Sequence, residues 1–140
     1  MISGHGDATD RLIEQRVRNR IIEYLELAAS FEEQRRYERA VPIAHVPYEV
    51  INQWDDWVWT DPASNTYNLD IYAAAEVDAL CHFWETLAKV SDAVPDNYPA
   101  LSDVQATPEW MLLRETAERA LEVLMKRGKL PEDVEISRPT

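Results

Sequence analysis

Apolar residues recur at helical spacing along most of the chain. Between about residues 9 and 40 they fall on one broad stripe at roughly 100° per residue, which predicts a first amphipathic helix. Thr9 or Asp7 can cap its start by accepting from an exposed backbone amide. The stripe ends after Phe31, whereas residues with helical propensity continue to Ala40. The last turns are therefore expected to project into solvent or to dock through polar contacts.

Three further helices follow from the same periodicity and from their flanking residues. Pro42 and Pro47 favour a short extended segment over 41–46, because the residue before a proline avoids the helical region. Pro47 suits the first turn of a second helix over about 47–58. A third helix, about 71–91, has a wide apolar sector. A fourth, about 108–127, starts after the capping residue Thr107 and ends at Gly128.

These patterns predict an all-α fold. No run alternates apolar and polar residues long enough to indicate a strand, although a small β pair that uses 41–46 stays open. We expect an irregular bundle of four main helices, at about 9–40, 47–58, 71–91 and 108–127. The 140 residues suit a single domain over 1–140, with 1–8 and 131–140 as flexible tails.

Composition narrows the classes of ligand. The net charge is −12 and the isoelectric point is about 4.6. Nucleic acid and anionic membranes are polyanions that bind through Lys and Arg, so this balance argues against both. The longest apolar run, Ile71 to Ala75, is far short of the ~20 residues of a membrane helix. A single cysteine, Cys81, and the lack of a secretory signal predict a reducing, cytoplasmic location.

The negative charge is concentrated in the middle of the chain. Residues 1–40 and 107–140 each carry one more acid than base, whereas 41–106 contain eleven acids and one base, Lys89. The same segment holds nine of the thirteen aromatic residues. A concentrated field of this kind steers a partner of opposite sign, although acids that merely solubilise an aromatic core are an equally good explanation.

One set of side chains has metal-ligand spacing. Asp78, His82 and Glu85 share a face of the third helix, at the i, i+3 and i, i+4 spacings that metal-binding bundles use. That face points away from the apolar sector, and Lys89 extends it into an ordinary row of surface charges. We therefore favour a solvent-exposed row of charged side chains over a metal site. Glu76 lies inside the apolar sector, where an N3 residue would accept from exposed amides. Without a catalytic motif, we predict neither an enzyme nor a cofactor.

The tryptophans divide into predicted core and predicted surface. Helical spacing places Trp54, Trp57, Trp84 and Trp110 in the core. Trp59 follows the second helix among acids, and an exposed Trp rimmed by carboxylates is typical of an interface anchor. The candidate partner-binding residues, all from the acidic middle segment, are Glu49, Asp55, Asp56, Trp59, Asp61 and Tyr67.

These observations favour a small acidic protein-binding module that engages a basic protein partner. In charge and size the chain is similar to the small acidic helical immunity proteins that neutralise nuclease toxins. That similarity implies an inhibitor whose acidic surface competes for a phosphate-binding groove. Two alternatives stay open: a homodimeric assembly module, which would expose an apolar patch on the first or last helix, and a small metal-dependent enzyme that uses Asp78, His82 and Glu85.

Overall fold

The computed structural model describes residues 9–57, 71–94 and 99–136. This part of the chain is all-α and contains no strand, which confirms the predicted fold class. No helix within it is both long enough and apolar enough to cross a bilayer. The helices in chain order are α1 (Asp10–Ala28), α2 (Phe31–Ala40), α3 (Val46–Asn52), α4 (Trp54–Trp57), α5 (Ala74–Ala93), α6 (Leu101–Gln105) and α7 (Pro108–Leu124).

The single helix predicted over 9–40 is wrong, because the chain breaks between α1 and α2. Ser30 leaves the helical region at φ −133° and ψ 110°, and its hydroxyl accepts from the amide of Glu33 at 3.1 Å. This bond caps a new helix and allows α2 to change direction. The sequence carries a signal for the break, since Ser30 and Glu33 have the spacing of a capping box.

The other predicted boundaries hold in part. The predicted extended segment 41–46 is instead a turn over 41–45 followed by the first residue of α3, with the amide of Ala44 donating to the carbonyl of Val41 at 2.9 Å. The second predicted helix is divided at Gln53 into α3 and α4, and its last residue lies outside the described ranges. At α7 the Thr107 hydroxyl accepts from the Trp110 amide as expected, and Gly128 has a positive φ of 74° after the helix. Only Gly adopts that conformation without strain.

The core lies where α7 packs against both α5 and α1. At its centre, Trp54 of α4 contacts two aromatic rings, those of Tyr24 on α1 and Phe83 on α5. Tyr24 and Phe83 also meet edge to face, with ring centroids 5.9 Å apart. Such contacts contribute beyond the burial of area alone. They fix the short α4 against α5, and this places the surface described below.

A second interior region is polar, and we call it the polar cluster: Arg18, Glu76 and Arg127. Arg18, which lies outside the predicted apolar stripe of α1, is completely buried. It contacts the Glu76 carboxylate at 2.7 Å and donates to the carbonyls of Leu124 and Gly128 near the end of α7. Arg127 reaches the other oxygen of Glu76, also at 2.7 Å. Glu76 additionally accepts from the Ala73 amide, as the N3 prediction requires.

Residues 131–136 lie along α1, although the composition predicts a flexible tail from 131 onward. Gln15, fully buried, donates to the carbonyls of Pro131 and Val134 and accepts from the amide of Ile136. Arg20 forms an ion pair with Glu132. These bonds satisfy backbone groups that have no helical partner. Residues 1–8 and 137–140, the rest of the predicted tails, lie outside the described ranges.

α2 docks through polar contacts, one of the two outcomes that its sequence allows. Gln34 is fully buried, and its side-chain oxygen accepts from the Trp110 indole at 2.9 Å and from Gln105 at 3.1 Å. Its amide nitrogen donates to the carbonyl of Leu27 at 3.1 Å. One glutamine thereby joins α1, α2, α6 and α7 without an apolar stripe on α2.

Candidate functional site

A concave site with aromatic lining, which we call the aromatic pocket, lies between α3–α4 and α5 in the described part of the chain. Its volume is about 140 Å³. Pockets that enclose whole small-molecule ligands are usually about 300–1,000 Å³, so this one suits a side chain or a fragment. The lining residues come from three helices: Ile51 and Asn52 on α3, Trp54 and Asp55 on α4, and Trp84, Leu87, Ala88 and Ser91 on α5.

The aromatic pocket has an apolar base and a polar rim. Ile51, Trp54 and Leu87 are buried, whereas Trp84 is half-buried and leaves part of its ring accessible. Asp55 is exposed at the edge. The lining therefore combines accessible aromatic surface with one carboxylate, a pairing that suits a cationic group.

Two buried polar groups, the Tyr24 hydroxyl and the Trp54 indole N–H, lie at the inner side of the aromatic pocket. The Tyr24 hydroxyl donates to the carbonyl of Val50 at 2.7 Å. Burial raises the pKa of Tyr24 far above its usual value, and the nearby carboxylate of Asp55 raises that pKa further, so the phenol stays neutral. The indole N–H of Trp54 is buried and finds no acceptor among the described residues. Such a donor costs free energy unless something pairs with it.

Unpaired carboxylates flank the aromatic pocket on α5. Asp78, Glu85 and Asp92 are each seven residues apart, so they form one row along the helix, and all three are exposed. On the helical wheel this row lies next to the face that carries Trp84 and Ala88. Within the described ranges, none of these three residues takes part in an ion pair.

Ion pairs are concentrated elsewhere in the molecule. They join α1, α2, α7 and the C-terminal segment internally, as in Glu23 with Lys129 and Glu33 with Arg36. Of the described acids in segment 41–106, only the buried Glu76 forms ion pairs with other described residues. The exposed acids of α4 and α5 therefore have no ion pair within the described residues, which sequence periodicity alone could not establish.

The structure brings some predicted binding residues together. Asp55 and Asp56 are both exposed on α4, and Asp55 lines the aromatic pocket. Glu49 is half-buried on α3 and accepts from the side chain of Gln53 at 3.1 Å. The remaining predicted binding residues, Trp59, Asp61 and Tyr67, lie outside the described ranges.

The prediction for the core tryptophans is right for two residues and wrong for one. Trp54 and Trp110 are 2% and 0% exposed, and Trp84 is half-buried. Trp57 is 37% exposed, although helical spacing places it on the same broad face as the buried Trp54. Trp57 thus adds exposed aromatic surface beside the acids of α4.

The candidate metal ligands do not converge into a site. Asp78, His82 and Glu85 are all on the exposed face of α5, and no other described element brings a ligand to them. The described part of the chain holds no group of three or more His, Cys, Asp or Glu side chains positioned for a metal ion. The expected surface pairs, Asp78 with His82 and Glu85 with Lys89, do not form either. Cys81, half-buried on the same helix, makes no disulfide.

A second depression, between α1 and α2, differs in its charge balance. It has a volume of about 480 Å³ and is lined by Glu23, Glu26, Leu27 and Glu33. Two of these carboxylates already have cationic partners from the same chain: Glu23 contacts Lys129 at 3.2 Å, and Glu33 contacts Arg36 at 2.7 Å. Of its three carboxylates, only that of Glu26 has no ion pair within the described residues, and no aromatic side chain lines the depression.

The exposed apolar residues of α1 and α7 bear on the homodimer alternative. Ile13 on α1 is 47% exposed, although the periodicity assigns it to the buried stripe. On α7, Met111 and Leu112 are exposed side by side, and Glu115 and Glu118 follow them on the exposed surface. Charged residues therefore interrupt the apolar surface of α7, whereas a stable dimer needs a contiguous patch.

Sequence reasoning missed the aromatic pocket as a unit. The spacing of Trp84, Leu87, Ala88 and Ser91 marks one face of α5, and this much is visible in the sequence. What the sequence does not show is that residues of α3 and α4 pack beside that face. Comparisons of the chain with protein-family models, with curated proteins and with solved structures find no match.

Proposed function

We propose that this chain is a small acidic protein-binding module, of the inhibitor or immunity type, which engages a basic protein partner. One observation carries the proposal: the exposed acids of α4 and α5 flank an aromatic pocket and are left out of the ion pairs of the described residues. Exposed charges of one sign accelerate association with a partner of the opposite sign, and aromatic anchors supply the affinity.

The binding surface comprises Asp55 and Asp56 on α4, the accessible rings of Trp57 and Trp84, and the acidic row of α5. Aromatic residues enriched beside a polar, charged rim are typical of protein interfaces. A basic, nucleic-acid-processing protein is the class of partner that such a surface fits, because its phosphate-binding groove is already cationic. The proposal includes the predicted cytoplasmic location, in which the chain would encounter such a partner.

The test is a pull-down from native lysate at low salt, followed by elution with a salt gradient and mass spectrometry. We expect one basic protein, captured in stoichiometric amount and released as ionic strength rises. A matched pair of double variants, each raising the net charge by two, shows whether the surface matters. Asp55→Asn/Asp56→Asn should abolish or weaken capture, and Glu115→Gln/Glu122→Gln on α7 should not.

Three results would contradict the proposal. The first is capture that does not depend on salt, and the second is equal loss of capture in both double variants. The third is an empty pull-down from a protein that runs as a stable dimer or carries tightly bound metal. A dimer would favour the assembly module, and metal would favour the α5 ligands Asp78, His82 and Glu85.

A further inference from the structure

We infer that the aromatic pocket receives an arginine side chain of the basic partner. The inference deepens the proposed function and rests on it for the identity of the protein that carries the arginine. The aromatic pocket itself is defined without the partner, by its volume, its aromatic lining and the carboxylate at its edge. A ligand for this site can therefore be tested in isolation.

The volume sets the size of the occupant. About 140 Å³ accommodates several water-sized groups, which is enough for a guanidinium and the methylene next to it. A larger ligand would remain mostly outside. The burial of Ile51 and Leu87 at the base provides apolar surface for the aliphatic part of a long side chain.

The chemistry of the lining selects a cation. The ring of Trp84 is accessible at the wall, and indole is the aromatic group that attracts cations most strongly. Asp55 supplies the carboxylate, and the exposed Asp56 on α4 and Asp92 on α5 add negative charge outside the rim. Their charge would repel an anionic side chain.

Arginine fits better than lysine for a geometric reason. Its guanidinium is planar and weakly hydrated, so it can stack on an indole and donate two parallel hydrogen bonds to a carboxylate. An ammonium is a compact, strongly hydrated charge, and it would lose more hydration on entering a site with an apolar base. The pairing of Trp84 with Asp55 offers both interactions that a guanidinium uses.

The experiment titrates the full chain with N-acetyl-arginine methylamide and follows the tryptophan indole signals by two-dimensional ¹H–¹⁵N NMR. Matched probes are the capped lysine and the capped citrulline, a neutral molecule of nearly the same shape as arginine. We expect saturable shifts of the Trp84 and Trp54 indole signals with arginine, at roughly millimolar affinity. Citrulline should produce no saturable shift, and lysine should bind several-fold more weakly.

Adjacent residues give a matched pair of variants. Asp55→Asn and Asp56→Asn remove the same charge from consecutive exposed positions of α4, but only Asp55 lines the aromatic pocket. We expect Asp55→Asn to weaken arginine binding by about fivefold or more, and Asp56→Asn by less than about twofold. Both side chains are exposed, so neither change should alter the folded structure.

Each contrary outcome overturns a definite part of the inference. Equal effects of the two variants, or shifts on tryptophans other than Trp54 and Trp84, would show that arginine binds outside the aromatic pocket. Citrulline binding as tightly as arginine would remove the role of charge, and lysine binding as tightly would remove the preference for a guanidinium. Salt-dependent capture of a basic protein is measured separately, so it can still succeed if the arginine titration fails.

Discussion

The polar cluster and the aromatic pocket handle charge in opposite ways. In the polar cluster the Glu76 carboxylate contacts Arg18 and Arg127, each at 2.7 Å, and carbonyls near the end of α7 accept from Arg18. At the aromatic pocket the exposed Asp55 has no ion pair within the described residues. Internally paired charges stabilise one conformation, whereas unpaired charges on a rigid surface are available to a partner. Substitutions in the polar cluster should therefore change stability, and substitutions at the rim of the aromatic pocket should change binding.

The largest expected effect is on the polar cluster. Glu76→Gln should lower the free energy of unfolding by about 3–5 kcal/mol, because it leaves the buried Arg18 without its anionic partner. Urea denaturation followed by circular dichroism measures the change. Glu85→Gln is the matched control, since it makes the same chemical change at an exposed position of α5. A loss below 1 kcal/mol would mean that the polar cluster does not stabilise the fold.

Gln15→Ala should have the next largest effect, on the C-terminal segment. The change removes the side-chain partners of Pro131, Val134 and Ile136, and we expect a loss of about 2 kcal/mol. Hydrogen exchange at the Ile136 amide should accelerate more than exchange at amides in α5. Gln53→Ala, which removes a hydrogen bond to Glu49 near the surface, is the control. Unchanged protection of Ile136 would show that Gln15 does not hold the segment.

Tyr24→Phe should cost about 1–2 kcal/mol, because the carbonyl of Val50 loses its donor. Burial raises the Tyr24 pKa, so the folded protein holds the phenol proton more tightly than the unfolded chain does. The free energy of unfolding is therefore not reduced by this effect below pH ~10. Above that pH it declines, by at most ~1.4 kcal/mol per pH unit, because the unfolded chain releases the proton that folded Tyr24 keeps. Denaturation at several pH values above 9 should show a shallower decline in Tyr24→Phe than in the native protein.

The control for this alkaline experiment is Tyr48→Phe, since Tyr48 is 49% exposed. It should leave the pH dependence of unfolding unchanged. Absorbance at the phenolate wavelength gives a second measure, because Tyr24 should not ionise until the protein unfolds. Ionisation of every tyrosine near pH 10 in the folded protein would contradict the burial of Tyr24.

The smallest expected effect on stability is at the rim of the aromatic pocket. Asp55→Asn/Asp56→Asn should change the free energy of unfolding by less than about 0.5 kcal/mol, because both carboxylates are exposed and have no ion pair among the described residues. Urea denaturation beside the native protein measures this. A loss above 1.5 kcal/mol would mean that these acids stabilise the fold, and their role in binding would need another test.

The sequence predicts well those features that depend on residues close together within one helix. The all-α class, the caps at Thr9 and Thr107, the N3 role of Glu76 and the positive φ of Gly128 all depend on neighbours within a few residues. The break at Ser30 also has a local capping signal, although the apolar periodicity predicts one continuous helix across it.

Features that join distant segments could not be read from the sequence. The burial of Arg18 does not follow from the periodicity of α1, because its partners Glu76 and Gly128 are 58 and 110 residues away. Helical spacing likewise assigns Trp57 to the core, whereas its side chain is exposed. The aromatic pocket depends on α3 and α4 packing beside α5, and no spacing within any one of these helices encodes that contact.

The most direct test of the central claim compares the affinity of the purified partner for the two double variants by isothermal titration calorimetry. At low ionic strength, we predict that Asp55→Asn/Asp56→Asn weakens the complex by roughly tenfold or more, whereas Glu115→Gln/Glu122→Gln changes it by less than about twofold. The difference should shrink as salt is added. Equal losses in the two variants would contradict the claim, because they would show that the partner responds to net charge and not to the acidic rim of the aromatic pocket.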